Sequence, residues 1–331
     1  MPLFFMISGM LIAGSLRKKG LSSYLTARLN TIFYPLLVWG FLQISIYLLT
    51  ERFTHNGITP EYYVYLIFDP RLTGHFWYLN ALFWIGVIFA LMKAKLKIKP
   101  FLHLFIGLVL FCISSYIHTQ NIRAGVLTDI CEYYVFFALG DLISDFALRS
   151  NNVGRYSSPK VFMPLFIVFL AVQYYCTKIN LNPGNGIKMD EHFVEFNRPG
   201  LYMLEALTGV ALSLNVSFLL QKYQTLNFLR VVGYHSLYIY CANIIALTFV
   251  RTIFLNVLHV HNVLLIFLPV WAAGILLPII FYNFSLRYNL WWLFSFKIPG
   301  KQVAYLQKNN IFSPRFKPMQ AGQADGDPVE K

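Results

Sequence analysis

The stretch MPLFFMISGMLIAGSLRKK, Met1 to Lys19, decides how the rest of the chain is read. Sixteen uncharged residues run to Leu16, and Arg17, Lys18 and Lys19 follow at once. An apolar run closed by a basic cluster is the tail of a transmembrane helix with its cytosolic anchor, because Lys and Arg gather on the cytoplasmic side of membrane spans. A hydrocarbon core takes roughly 20 apolar residues in helical form, so about one more turn of this span is expected ahead of Met1. A signal peptide would open on a positive n-region and close on a small-residue cleavage site. Neither flanks this run.

Outward from that segment the chain stays apolar. Of its 331 residues 57% are hydrophobic and only 12% charged, with mean hydropathy +0.56. Soluble domains carry about a quarter charged residues, so the composition is that of a polytopic membrane protein, an all-α helix bundle. Nine apolar spans are expected, at about 1–16, 31–50, 75–92, 101–118, 130–148, 161–177, 200–220, 231–254 and 263–285. The longest connections, 51–74 and 178–199, are polar and hold Pro or Gly, which marks them as loops. From Lys297 the chain turns polar and ends in AGQADGDPVEK. The expected division is therefore a membrane domain over 1–296 and a polar, partly disordered cytoplasmic tail over 297–331.

The net charge of +13 invites a nucleic-acid reading, and its distribution argues against one. Alternate connections, with the tail, hold 20 of the 27 Lys and Arg residues, among them Arg17–Lys19, Arg28 and Lys93–Lys99. The other connections hold six, and Arg251 lies inside a span. An excess that alternates loop by loop is an orientation signal. It puts the lysine-rich loops in the cytoplasm and Met1 on the outer side. A chain entering from the cytosol then needs one more helix ahead of Met1, ten in all.

Cys112, Cys131, Cys176 and Cys241 form no CxxC pair and no Cys/His spacing, so no metal site is expected. They read as small buried hydrophobes, with a disulfide between Cys131 and Cys176 as the alternative. No P-loop, GxSxG elbow, HExxH or dinucleotide fingerprint is present.

Five segments stand out. Phe4-Phe5-Met6-Ile7-Ser8-Gly9 puts small residues mid-helix, where they let helices approach closely. Arg28 precedes Pro35 by seven residues in RLNTIFYP. Gly74-His75-Phe76-Trp77-Tyr78-Leu79 lies at an outer helix entrance, Tyr134–Gly140 (YVFFALG) precedes a cytosolic loop, and Val232–Tyr240 (VGYHSLYIY) opens a helix on the inner side.

Taken together and in this order, these segments resemble the integral-membrane acyltransferase type 3 family, its sugar O-acetylases above all, over roughly residues 3–295. The resemblance implies a ten-helix bundle in a bacterial inner membrane. It also implies transfer of an acyl group, acetyl in the sugar O-acetylases, from cytosolic acyl-CoA to a cell-envelope carbohydrate or lipid-linked sugar, with no permanently bound cofactor. The family's first helix carries an Arg and a His, the His being the expected base. That helix is not in this sequence, so the base is expected upstream of Met1. Two further departures are Asn243, where the family often has His, and Thr31, where a second basic residue is usual.

Among the residues present, Glu205 sits in an otherwise apolar span, and an ionisable residue there is a functional candidate. It reads either as a ligand for a sugar hydroxyl, or the orienter of a base, or as the partner of Arg251 or Arg198. His75 is the second catalytic candidate, and with Trp77 a substrate-binding one, since aromatic rings stack on sugar faces. An interfacial aromatic belt is the competing account. Arg28 is the candidate for the phosphates of CoA, which a guanidinium meets bidentately, or else a topology anchor. His235 is placed at the same inner face as a second donor-side residue. Asp141 and Asp145, at i and i+4, read as a solvated helix end, and His103, His118, His259 and His261 as interfacial. A sugar transporter, a non-catalytic homologue and a lipid-sugar glycosyltransferase using Glu51, Glu61 or Asp69 are the competing functions.

Overall fold

The computed structural model describes residues 1–54, 57–147, 158–181, 193–226, 228–260 and 262–296; the tail 297–331 lies outside them. Among these residues every regular element is a helix, as a backbone in hydrocarbon must be when no water satisfies its polar groups. The helices are α1 (Pro2–Arg28), α2 (Tyr34–Thr54), α3 (Tyr62–Phe68), α4 (Trp77–Ala94), α5 (Pro100–Thr119), α6 (Val126–Ala147), α7 (Pro159–Leu181), α8 (Val194–Asn197), α9 (Pro199–Tyr223), α10 (Phe228–Tyr234), α11 (Ser236–Thr252) and α12 (Val263–Arg287). Pro2, Pro100 and Pro199 stand in the first turn of α1, α5 and α9, where a missing N–H costs nothing. A π-helical turn, Leu29–Phe33, joins α1 to α2.

The expected spans coincide with helical stretches to within a few residues, except that 231–254 is divided at His235 between the short α10 and α11. Seven helical stretches are long and apolar enough to cross a membrane, and the first of these, Pro2–Glu51, contains two of the expected spans. The remaining span is α6, whose Asp129, Glu132, Asp141 and Asp145 make it more charged than the other spans. Large apolar side chains such as Phe101, Phe105, Leu264 and Leu268 lie exposed on the outside, where lipid would cover them.

The expected loop 51–74 is partly ordered instead. Its apolar YYVYLIF segment folds as α3, and Asn80 on α4 donates from Nδ2 to the carbonyls of Leu66 and Ile67 at 2.8 and 3.0 Å. None of the four cysteines is in a disulfide, so the Cys131–Cys176 alternative is not realised. Cys112 is exposed, against the expectation of burial.

The core is organised by the packing of α1 against α6 and of α6 against α5. At the α1–α6 crossing two glycines interlock. A Cβ on Gly9 would lie 2.0 Å from the Phe137 carbonyl oxygen, and one on Gly140 would lie 2.0 Å from the Met6 carbonyl oxygen. Only hydrogen fits at either place. Phe5, Phe136 and Phe137 are fully buried around this crossing, and Phe5 stacks on Tyr133 with ring centroids 4.7 Å apart.

Substituting Gly9 or Gly140 by Val therefore forces two backbones apart. Overpacking a well-filled core costs about 1–3 kcal/mol, and here the loss is expected at or above the upper end of that range. Gly14, where a Cβ would meet nothing within 4 Å, should accept Ala without loss. Thermal unfolding of the purified protein in detergent checks both.

Candidate functional site

Polar side chains enter the apolar bundle at three levels along α4 and α6. One end of the bundle carries the lysine loop that follows α4; the other carries the turn Pro70–Thr73 and the start of α6.

At the end away from the lysines, Arg71 holds two carboxylates of α6 that lie one turn apart. Its Nε donates to Asp129 Oδ1 at 2.6 Å and its Nη2 to Glu132 Oε2 at 3.2 Å. His118 from α5 reaches the same Glu132 oxygen at 3.4 Å. The guanidinium lies over the Trp77 ring, 4.8 Å from its centre, and Trp77 packs on Tyr133 at 5.4 Å. Tyr133 donates its hydroxyl to Glu195 Oε1 at 3.0 Å and accepts from Tyr202 at 3.5 Å. Burial and the adjacent Glu132 carboxylate push the Glu195 carboxyl up to about 7. The two carboxyls thus share a proton near neutral pH, as like charges in close contact do.

Beside this cluster, His75 precedes α4 by two residues. Its Nε2 lies 3.1 Å from the Tyr240 carbonyl oxygen, and the Tyr240 hydroxyl donates back to the His75 carbonyl. Since the partner is a carbonyl, Nε2 carries the proton and Nδ1 keeps its lone pair. Burial lowers the imidazole to about 4, so the ring is neutral at physiological pH. Tyr240 also packs on Tyr78, which meets Phe4 and Phe5 of α1.

The middle level is Arg28. The sequence reading puts it near the inner face, but the fold carries its side chain deep into the bundle. Nε donates to Tyr24 at 2.7 Å and Nη1 to the Leu82 carbonyl at 3.1 Å. A Cβ on Gly86 would lie 2.6 Å from Arg28 Cζ, so this glycine makes room for the guanidinium. Gly86 lies near the midpoint of the 18-residue α4, about 12–14 Å from either end at 1.5 Å per residue.

At the lysine end, Lys93 pairs with Asp141, which is buried rather than solvated as its sequence position suggested. His103 is not interfacial either. It is fully buried, stacks on Phe89 at 4.0 Å and bonds the Tyr134 hydroxyl through Nδ1 at 2.8 Å. A polar group buried this deeply is costly unless it is bonded, which is why both have protein partners.

Of the sequence candidates, the structure joins Trp77 to the Arg71 cluster and puts His75 beside it. Glu205 lies on α9 within reach of the Cys176 thiol of α7, and no contact joins it to His75 or Trp77. None of the ion pairs among the described residues links it to Arg251 or Arg198. His235 is buried at the start of α11 and bonds the Val231 carbonyl at 2.9 Å, with Tyr238 and Tyr282 stacked beside it; no contact joins it to Arg28. Sequence reasoning missed Arg71, Asp129, Glu132 and Glu195. The available signal was that α6 carries four of only 14 acidic residues.

Among the described residues no three His, Cys, Asp or Glu side chains are grouped as metal ligands. A cavity of about 270 Å³ between α2, α11 and α12 is lined by Trp39, Ala242, Phe249, Pro278 and other apolar groups, so it offers contacts for hydrocarbon only.

The family model described as an acyltransferase domain matches residues 1–296. No curated protein and no solved structure matches the chain.

The Arg71 cluster has a pH signature. A carboxyl raised from 4.5 to about 7 binds its proton more tightly in the folded chain than in the unfolded one. Its contribution to stability is therefore lost as pH rises from about 4.5 to 7. Facing it are Glu132, Arg71, Tyr133 and Tyr202. Glu195→Gln removes the titration, so the variant should gain thermal stability over the parent at pH 8 and match it at pH 4. Melting curves at the two pH values decide.

Proposed function

Because the chain belongs to the acyltransferase type 3 family of membrane proteins, we propose that it is an O-acyltransferase working across a bacterial inner membrane. It takes an acetyl group from acetyl-CoA on the lysine-rich, cytoplasmic side and passes it to a carbohydrate hydroxyl of the cell envelope on the other. The tail 297–331 is cytoplasmic in this reading. The observation that carries it is the three-level line of polar groups through an otherwise apolar bundle. Ionisable side chains inside spans are costly and mark pathways. Here they run from Lys93 and Asp141, through Arg28, to Arg71, Glu132 and Glu195.

The chemistry needs three things. An oxygen nucleophile must be held beside the thioester, a base must take its proton, and the carbonyl oxygen must be stabilised as it becomes negative. When the hydroxyl oxygen bonds to the acyl carbon the C–S bond breaks, and the proton leaves with CoA as its thiol. The outer cluster suits the acceptor: carboxylates accept hydrogen bonds from sugar hydroxyls, and Trp77 and Tyr133 offer ring faces. His75 is neutral and keeps its Nδ1 lone pair, so it can accept a proton, and a general base whose pKa is matched to the working pH is worth about 10²–10⁴ in rate.

The test is transfer itself. Membrane vesicles from cells carrying the gene, given labelled acetyl-CoA, should place label in alkali-labile esters on envelope glycan, and vesicles from a deletion strain should not. Equal labelling in both would remove the proposal.

A further inference from the structure

Arg28 is the most deeply buried Lys or Arg among the described residues, and its surroundings are unusual for a cation. None of the ion pairs among the described residues includes it. It is 9% exposed. Its neighbours are a tyrosine hydroxyl, one carbonyl oxygen and the ring faces of Tyr24 and Phe137, 5.3 and 5.8 Å from Cζ. A guanidinium has five N–H donors. Here Nε serves Tyr24 and Nη1 serves Leu82, while Nη2 donates to no described residue. Burying a charge without a counter-charge is destabilising. The fold nevertheless builds a slot for it, with Gly86 stripped of a side chain opposite Cζ.

The depth of that slot separates two roles. The phosphates of a CoA donor are multiply charged and strongly hydrated, and about 12 Å of bundle, at 1.5 Å per residue, lies between the end of α4 and Gly86, with the Lys93–Asp141 pair in its last turn and the buried His103–Tyr134 pair packed on Phe89. Exposed Lys95, Lys97 and Lys99 follow α4 at its end and offer those phosphates cations in water. The pantetheine arm that separates phosphates from thioester is uncharged and suits the interior. What reaches the level of Gly86 is then the acyl group.

Resting on the transferase reading above, we infer that Arg28 is a catalytic residue whose Nη2 donates to the thioester carbonyl oxygen at the middle of the membrane, stabilising the oxyanion of acyl transfer rather than binding the donor's phosphates. The acceptor hydroxyl attacks the carbonyl carbon, and its proton passes to an imidazole or carboxylate base. The C=O electron pair moves onto the oxygen that Arg28 faces. Collapse of that adduct expels the CoA thiolate, which takes up the proton. A fixed donor aimed at developing charge in a dry site acts at full strength, since neither partner must first be stripped of water. Tyr24 is a positioning residue in this scheme, because its hydroxyl holds Nε and so fixes the direction of Nη2.

The two roles differ in kinetics. In vesicles given labelled acetyl-CoA at varied concentration, with free CoA as competing ligand, Arg28→Gln should lower kcat by about 10²–10³-fold, the usual loss of an oxyanion donor. The KM for acetyl-CoA and the inhibition constant of CoA should stay within about twofold, because no ground-state contact to the phosphates is removed. Gly86→Ala displaces the guanidinium without deleting it, so kcat should fall again at unchanged KM. Gly14→Ala controls for a general effect of a new methyl. Immunoblots and melting curves check that each variant is folded. A rise of about tenfold or more in KM and in the CoA inhibition constant, with kcat preserved, would make Arg28 a phosphate ligand and overturn the inference. Unchanged kinetics in both variants would overturn it too. If the parent vesicles transfer no label at all, the transferase reading itself fails.

Discussion

The contact on which this structure depends is the crossing of α1 and α6 at Gly9 and Gly140. Each glycine receives the other helix's carbonyl oxygen where a Cβ would otherwise stand. Helices in lipid gain little from apolar burial, because lipid tails are as apolar as their side chains. Close backbone approach and the packing it permits must supply the association. The crossing sets the height of Phe5 against Tyr133, and thereby of Tyr133 against Trp77 and Glu195. It also closes the space around Asp141, so that Lys93 becomes its counter-charge.

That framework makes the polar groups expensive and therefore informative. At the end away from the lysines charge is balanced locally: Arg71 answers Asp129 and Glu132, and Glu195 keeps its proton to about pH 7. At the lysine end Lys93 answers Asp141. At mid-depth, among the described residues, Arg28 has a hydroxyl, a carbonyl and ring faces but no carboxylate among its contacts. A negative charge that forms only during reaction is the partner such a site fits.

Much of the fold was legible because hydrocarbon leaves the backbone few options. The long apolar runs had to be helices, and the expected spans lie on them, with 231–254 interrupted at His235. The pairing of FFMISG with YVFFALG was half legible: Gly9 announced a close approach but not its partner, since helix contacts are set by tertiary fit rather than local spacing. The site was less readable. Arg28 looked peripheral because it stands only nine residues past Lys19, yet the chain breaks at Gly20 (φ 71°) and α1 then carries Arg28 into the bundle. Asp129 and Glu132 are ordinary residues at a helix start until Arg71 arrives from 58 and 61 positions away. No local pattern encodes that meeting. Glu205 drew attention as an isolated acid in an apolar run, and the structure gives it the Cys176 thiol as neighbour.

On the inference drawn for Arg28, the acyl group is handled at the level of Gly86, with the donor's charges left behind at the lysine-rich end. A cryo-electron microscopy structure of the protein in nanodiscs with a non-hydrolysable acetyl-CoA analogue measures this directly. The account expects the acyl carbonyl oxygen at hydrogen-bond distance, about 3 Å, from Arg28 Nη2, and the phosphates among Lys95, Lys97 and Lys99. Phosphates lodged on Arg28, or an acyl group that stops short of Gly86, would contradict it.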